Sequence, residues 1–117
     1  MNAPITAIFA YDMEFYEYLP RLFPHTDAKS WFVGQPELIF NTAYRNGTLQ
    51  AAYFMLACRI LGLDLGPMSG FENEKVDKEF LTGTSYKSNF LCNIAMVILL
   101  TSSRAPRFEF EEIAKLI

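Results

Sequence analysis

The sequence is poor in the residues that build metal centres and disulfide frameworks. Its 117 residues include two cysteines, Cys58 and Cys92, and a single histidine, His25. No Cys-x-x-Cys pair and no Cys/His cluster occurs, which excludes a zinc site. Two well-separated thiols among apolar neighbours are expected to be buried packing groups in a reducing compartment. Positive charge is also scarce. Ten Lys and Arg stand against thirteen Asp and Glu, a net charge of −3. The basic footprint that nucleic acid demands is missing. The longest apolar run, residues 90–100, is interrupted by Asn93 and is shorter than the roughly 20 residues that cross a bilayer. Residues 1–6 have neither the basic nor the apolar region of a secretory signal. These absences predict a cytoplasmic protein with no membrane and no nucleic-acid partner.

The common catalytic motifs are missing too. A nucleophile elbow at Ser69 requires glycine two residues before and two after, and those positions hold Pro67 and Phe71. There is no G-x-G-x-x-G and no G-x-x-x-x-G-K-[ST] loop. The charges from Glu72 to Glu79 alternate in sign, as on a solvated helix face. Arg104 and Arg107, around Pro106, are open to two readings, surface charge or an anion clamp.

What the chain has in quantity is apolar and aromatic surface. Hydrophobic residues make up 51% and aromatic residues 15%, with eleven Phe and six Tyr. The length suits one domain. Residues 4–10, apolar on both faces, read as a strand inside a sheet. Residues 14–19 read as a short helix closed by Pro20, residues 24–27 as a loop, and Asp27 as a cap for a turn carrying Trp31 and Phe32. The strongest element runs from Pro36 to Gly62. Proline suits a first helical turn and glycine the position past a helix end. Its apolar residues cover most of the circumference, which predicts a helix central to the fold or to a dimer. Residues 63–71 read as irregular, with a glycine-lined loop at 66–70 able to present backbone N–H groups to a ligand. Residues 74–81 read as a helix with Val76, Phe80 and Leu81 inward, residues 86–100 as a strand, and residues 110–117 as a final helix with Ile113, Leu116 and Ile117 on one face. The aromatic group Phe9, Tyr11, Phe15, Tyr16, Tyr18 and Phe23 is expected in the core. The order β-α-α-α-β-α predicts an α+β or α/β layer, its two strands brought together by helices.

Several segments together carry a family resemblance: Asp27-Ala28-Lys29-Ser30-Trp31-Phe32, Gln50-Ala51-Ala52-Tyr53, Leu61-Gly62-Leu63-Asp64, Lys87-Ser88-Asn89, Arg104-Ala105-Pro106-Arg107 and, most specific, Gly66-Pro67-Met68-Ser69-Gly70-Phe71. The chain resembles the FMN-dependent nitroreductase family over nearly its whole length. Within that family it is most similar to the branch that reduces malonic semialdehyde in uracil degradation. The resemblance implies an α+β fold, a central sheet with a long central helix, and a homodimer with FMN at its interface. It implies ping-pong hydride transfer from NAD(P)H through flavin N5 to a small aldehyde, nitro compound or quinone. It places Pro67 and Met68 against the isoalloxazine, the N–H groups of Ser69 and Gly70 at flavin N5 and O4, and Arg104 at the FMN phosphate, with no side chain assigned as a general acid. It also implies that residues 1–117 are the C-terminal portion of one domain, because the family's Arg/Ser-rich start is not found before Met1. An inactive remnant that only dimerises is the alternative expectation. The resemblance breaks at residues 95–100. Family members continue there with Gly-Tyr-Gly-Asp-Pro-Ser, and a one-base shift in such a coding stretch reads Ala-Met-Val-Ile-Leu-Leu, the residues found. A local frameshift is therefore expected.

Overall fold

The computed structural model describes residues 4–96 and 105–116. Three strands, β1 (Ile5–Asp12), β2 (Leu63–Met68) and β3 (Tyr86–Met96), form one antiparallel sheet in the order β1-β3-β2. A short helix, α1 (Leu19–Leu22), follows β1. The long helix α2 (Pro36–Ile60) lies between β1 and β2, α3 (Asn73–Phe80) between β2 and β3, and α4 (Phe110–Ile113) near the end. Single 3-10 turns at Phe15–Tyr18 and Lys29–Trp31 complete the order.

Helix α2 follows the sequence signals. Pro36 opens its first turn, where the missing N–H has no helical partner to lose. Gly62 ends it with φ of +78°, a conformation that favours glycine. Beyond the last turn, Leu61 N–H bonds to Ala57 C=O and Gly62 N–H to Arg59 C=O. At 25 residues the helix is about 38 Å long. Its buried stripe is Ile39, Ala43, Ala51 and Cys58, spaced so that Gly47 falls in the middle. A Cβ on Gly47 would sit 3.0 Å from Tyr11 Cβ and 3.3 Å from the Ala10 carbonyl oxygen. This small-residue stripe lets the helix backbone approach β1 closely. The Arg59 guanidinium ties the helix end to β2, donating to Leu63 C=O at 2.9 Å and to the Asp64 carboxylate.

Strand β3 carries a bulge. Phe9 pairs with Phe90 but Ala10 pairs with Ser88, so Asn89 is an extra residue on the central strand. Because Phe9 and Ala10 alternate faces, Phe90 and Ser88 do too. Phe90 joins Phe9 and Phe54 in an aromatic group, with centroids 4.8 and 5.3 Å from Phe9. Ser88, 4% exposed, is held from α3: its N–H donates to Asp77 Oδ1 and its C=O and Oγ accept from Asn73.

Several sequence expectations need correction. Residues 63–68, read as irregular, form β2, because pairing with β3 outweighs the poor strand propensity of Asp64, Gly66 and Pro67. Among the described residues β1 lies at a sheet edge and β3 is central, so the apolar character of β1 reflects α2 packing and not burial between strands. The strands also pair directly rather than through helices. Pro20 does not close a helix but sits in the first turn of α1. Phe80 is 66% exposed, and half-buried Asp77 faces inward because it serves Ser88. The last helix spans only Phe110–Ile113, with Ile113 and Leu116 exposed. Tyr18 and Phe23 lie outside the core at 48% and 43% exposure. The ends of the expected strand (97–100) and of the final helix (Ile117) lie outside the described residues, as does most of the 95–100 segment.

Other expectations hold. Cys58 and Cys92 are buried and free, and Asp27 caps its turn by accepting the Ser30 N–H. No helix is long and apolar enough to cross a membrane among the described residues. The core is small beside the apolar surface. Leu49, Tyr53, Leu56 and Ile60 of α2 are all more than half exposed, at 54%, 74%, 60% and 86%. The radius of gyration is 18.0 Å, against about 13 Å for a compact domain of this length.

Candidate functional site

The end of β2, the β3 bulge and the middle of α2 enclose a cleft of about 360 Å³, within the range of small-molecule sites. Strand β2 contributes Pro67 and Met68, with Ser69 just beyond it. Helix α2 contributes Tyr44, Thr48 and Met55, which fall on one side through spacings of four and seven. The bulge contributes Asn89 and Phe90. Pro67, Met68, Met55 and Phe90 offer apolar walls for a flat ring. Tyr44, Thr48, Ser69 and Asn89 offer polar contacts.

Of the residues expected from sequence, Pro67, Met68 and Ser69 come together here. Gly70 follows Ser69, and space beside it is open: a Cβ there would meet nothing within 4 Å. Among the described residues no hydrogen bond engages the N–H of Ser69 or Gly70, whereas the next N–H, of Phe71, bonds to Ser69 C=O. Two donors are thus presented in succession where the chain leaves β2. Arg104 lies outside the described residues. Arg107 turns its guanidinium onto the carbonyls of Ala105 and Pro106.

Tyr44, Thr48 and Asn89 were not among the site residues expected from the sequence, although Asn89 belongs to one of the segments that carry the resemblance. Thr48 and Tyr44 are four apart, a helical spacing that carried a signal. Asn89 reaches the cleft through the bulge, which sequence spacing does not reveal. Its amide Nδ2 donates to Thr48 Oγ1 at 2.8 Å, and Thr48 Oγ1 donates to Tyr44 C=O at 2.8 Å.

The cleft wall contains no carboxylate, lysine, arginine or histidine. Two neighbouring groups that titrate are kept protonated. Burial pushes the Cys92 thiol up, with Cys58 adding to the rise and the Gly66 N–H opposing it. Burial, then the Asp77 and Tyr44 charges, push the Tyr11 phenol up. The cleft can bind and orient a flat ligand, but its walls provide no strong acid or base. A larger cleft of about 460 Å³ lies between β1 and α2. Its one carboxylate, Asp12, holds the strand end, with Oδ1 accepting from Glu14 N–H and Ser85 Oγ. The smaller cleft, with its unengaged donors, is the better candidate. No cluster of three or more metal-ligating side chains occurs among the described residues.

No family model matches the chain. It is 54% identical over 117 residues to a Burkholderia lata protein that carries the name NADH dehydrogenase/NAD(P)H nitroreductase, a match covering 99% of this chain and 60% of that protein. The fold is nitroreductase-like. The structure of a nitroreductase family protein from Streptococcus pneumoniae superposes with a TM-score of 0.81 at 15% identity, over 98% of this chain and 65% of that one. An NAD(P)H:FMN oxidoreductase structure from Staphylococcus epidermidis superposes with a TM-score of 0.74 at 16% identity, over 98% of this chain and 62% of that one. The chain therefore spans about three-fifths of the length of the proteins it matches.

Proposed function

We propose that the chain contributes the ring-binding part of an FMN-dependent NAD(P)H oxidoreductase and represents the C-terminal portion of one nitroreductase-like domain. One observation carries this reading: the turn after β2 presents two unengaged N–H donors beside a cleft with apolar walls and no carboxylate, lysine, arginine or histidine. That set suits a flavin, whose flat ring needs apolar faces and whose heteroatom edge needs hydrogen-bond donors. Bound FMN would supply two-electron hydride chemistry between NAD(P)H and a second substrate.

Pro67 and Met68 would pack on the ring, and the Ser69 and Gly70 N–H groups would offset the negative charge that a reduced ring gains. Preorganised donors of this kind need no reorganisation as that charge develops. Arg104 would serve the phosphate. With no carboxylate, lysine, arginine or histidine in the walls, solvent would protonate the product. The substrate proposed first is malonic semialdehyde, reduced to 3-hydroxypropionate, and the second is a nitro compound or quinone. A second copy of the chain is the proposed cover for the apolar face of α2, whose exposed Tyr53, Leu56 and Ile60 otherwise meet water.

A different reading, a chain that associates through α2 but binds no flavin, is favoured by the exposed Leu49, Tyr53, Leu56 and Ile60 of that helix. Purification with added FMN separates the two. Retained yellow colour, flavin fluorescence quenched on binding, and bleaching of the visible band by NADH support the oxidoreductase. A colourless protein with unquenched flavin refutes it. Turnover of malonic semialdehyde against a quinone then ranks the substrates.

A further inference from the structure

We infer that Asn89, oriented by Thr48, is the residue that selects a ring with an N–H edge in this cleft. The inference rests on the flavin reading above and names a specificity determinant within it. Three observations support it.

First, the bulge re-aims a side chain. In an unbroken strand Asn89 would lie on the opposite face from Phe90. The extra residue turns it toward α2, where it lines the cleft with Phe90, Pro67 and Ser69. Second, proton bookkeeping fixes the amide. The only proton of the Thr48 hydroxyl is spent on Tyr44 C=O at 2.8 Å. Thr48 Oγ1 can therefore only accept from Asn89, at 2.8 Å, so the NH₂ side of the amide must face Thr48. Third, this leaves Oδ1 as the spare acceptor of the pair. No described residue donates to it, and Asn89 is half-buried, so solvent reaches it only in part. The turn after β2 supplies donors; Asn89 supplies an acceptor. A ring offering both acceptor and N–H positions, as the pyrimidine part of isoalloxazine does, would satisfy both, whereas a ring alkylated at that nitrogen would leave Oδ1 without a donor.

The test is titration of the purified full chain with FMN and with FMN methylated at ring N3, followed by flavin fluorescence, for the wild type, Asn89→Leu and Thr48→Val. The wild type is expected to bind FMN roughly ten-fold tighter than the methylated form, the effect of one lost hydrogen bond to a partly buried acceptor. Leu keeps the volume of the amide, so steric exclusion of the methyl group persists in Asn89→Leu and only the hydrogen bond is lost. That variant should reduce the ratio about five-fold. Thr48→Val keeps Asn89 but frees its amide to turn, and should reduce the ratio about three-fold. If Asn89→Leu does not fold, as judged by circular dichroism, Thr48→Val decides by the same ratio. An unchanged ratio in the folded variants, or equal binding of both flavins by the wild type, overturns the inference while leaving the flavin reading intact. A wild type that binds neither flavin overturns both.

Discussion

Gly47→Ala sets two opposing effects against each other at one position. In an open helix, replacing glycine by alanine stabilises by about 1 kcal/mol. At position 47 the new Cβ would meet Tyr11 Cβ at 3.0 Å and the Ala10 carbonyl oxygen at 3.3 Å. Both atoms are fixed by the β1 backbone, so a rotamer change cannot relieve the contact. Reaching an ordinary separation requires α2 to lift by about 0.5–1 Å, loosening Ala43 and Ala51 on the same stripe. Overpacking of this kind costs about 1–3 kcal/mol. The net expectation is a loss of about 1 kcal/mol, near the middle of the range that remains after the propensity gain. That corresponds to a melting temperature lower by about 4 °C. Asn46→Ala, one residue earlier and exposed, supplies the reference: it gains propensity without contact and should raise stability by up to about 0.7 kcal/mol. Urea unfolding followed at 222 nm would measure both. If Gly47→Ala raises the midpoint as much as Asn46→Ala does, the helix is not pressed against β1 and the packing argument fails.

Other perturbations follow from the same contacts. Asp77→Ala should destabilise by about 1–3 kcal/mol, because it orphans the N–H of buried Ser88. Asp77→Asn, which keeps an acceptor, should cost clearly less; equal losses in urea midpoint would refute that account. The Tyr11 phenol is pushed above its ordinary 10.0 in the folded chain, so its contribution is fully present below pH 10 and is lost as pH rises through the folded value. Urea midpoints should fall above pH 10, less steeply in Tyr11→Phe. Cys92 acts with the same sign from about pH 9.0, so the difference between wild type and variant isolates the phenol; parallel curves would remove Tyr11 from the explanation. Cys92 is 0% and Cys58 6% exposed, so a thiol reagent should label both slowly in the native chain and fully in guanidinium. Fast native labelling would contradict the packing around them.

Where local chemistry decides an outcome, the sequence was informative. Pro36 and Gly62 bracket α2 because proline and glycine act on their own backbones. The burial of both cysteines followed from their apolar neighbours. Strand β2 could not be read the same way. Leu63–Met68 contains an aspartate, a glycine and a proline, and it is a strand only because β3 lies beside it. Phe80 was assigned inward by periodicity, but the polar demand of Ser88 turns the Asp77 side of α3 inward instead. In the site, Pro67, Met68 and Ser69 were legible because they are consecutive. Asn89 was hidden, since a single extra residue in a strand pairing leaves no mark in spacing.

The two borders of the sheet differ in a way that bears on self-association. A proline in a strand places its missing N–H on the side without a neighbour. Pro67 therefore removes a donor from the outer border of β2, and the backbone turns away directly after Met68. Strand β1, Ile5–Asp12, has no proline or glycine, is rich in β-branched and aromatic residues, and among the described residues has no strand on its far side. The sheet thus has a terminating border and a permissive one. Any strand that adds to this chain, including β1 of another copy, is expected to do so at β1, so growth would be one-sided and would stop at a pair.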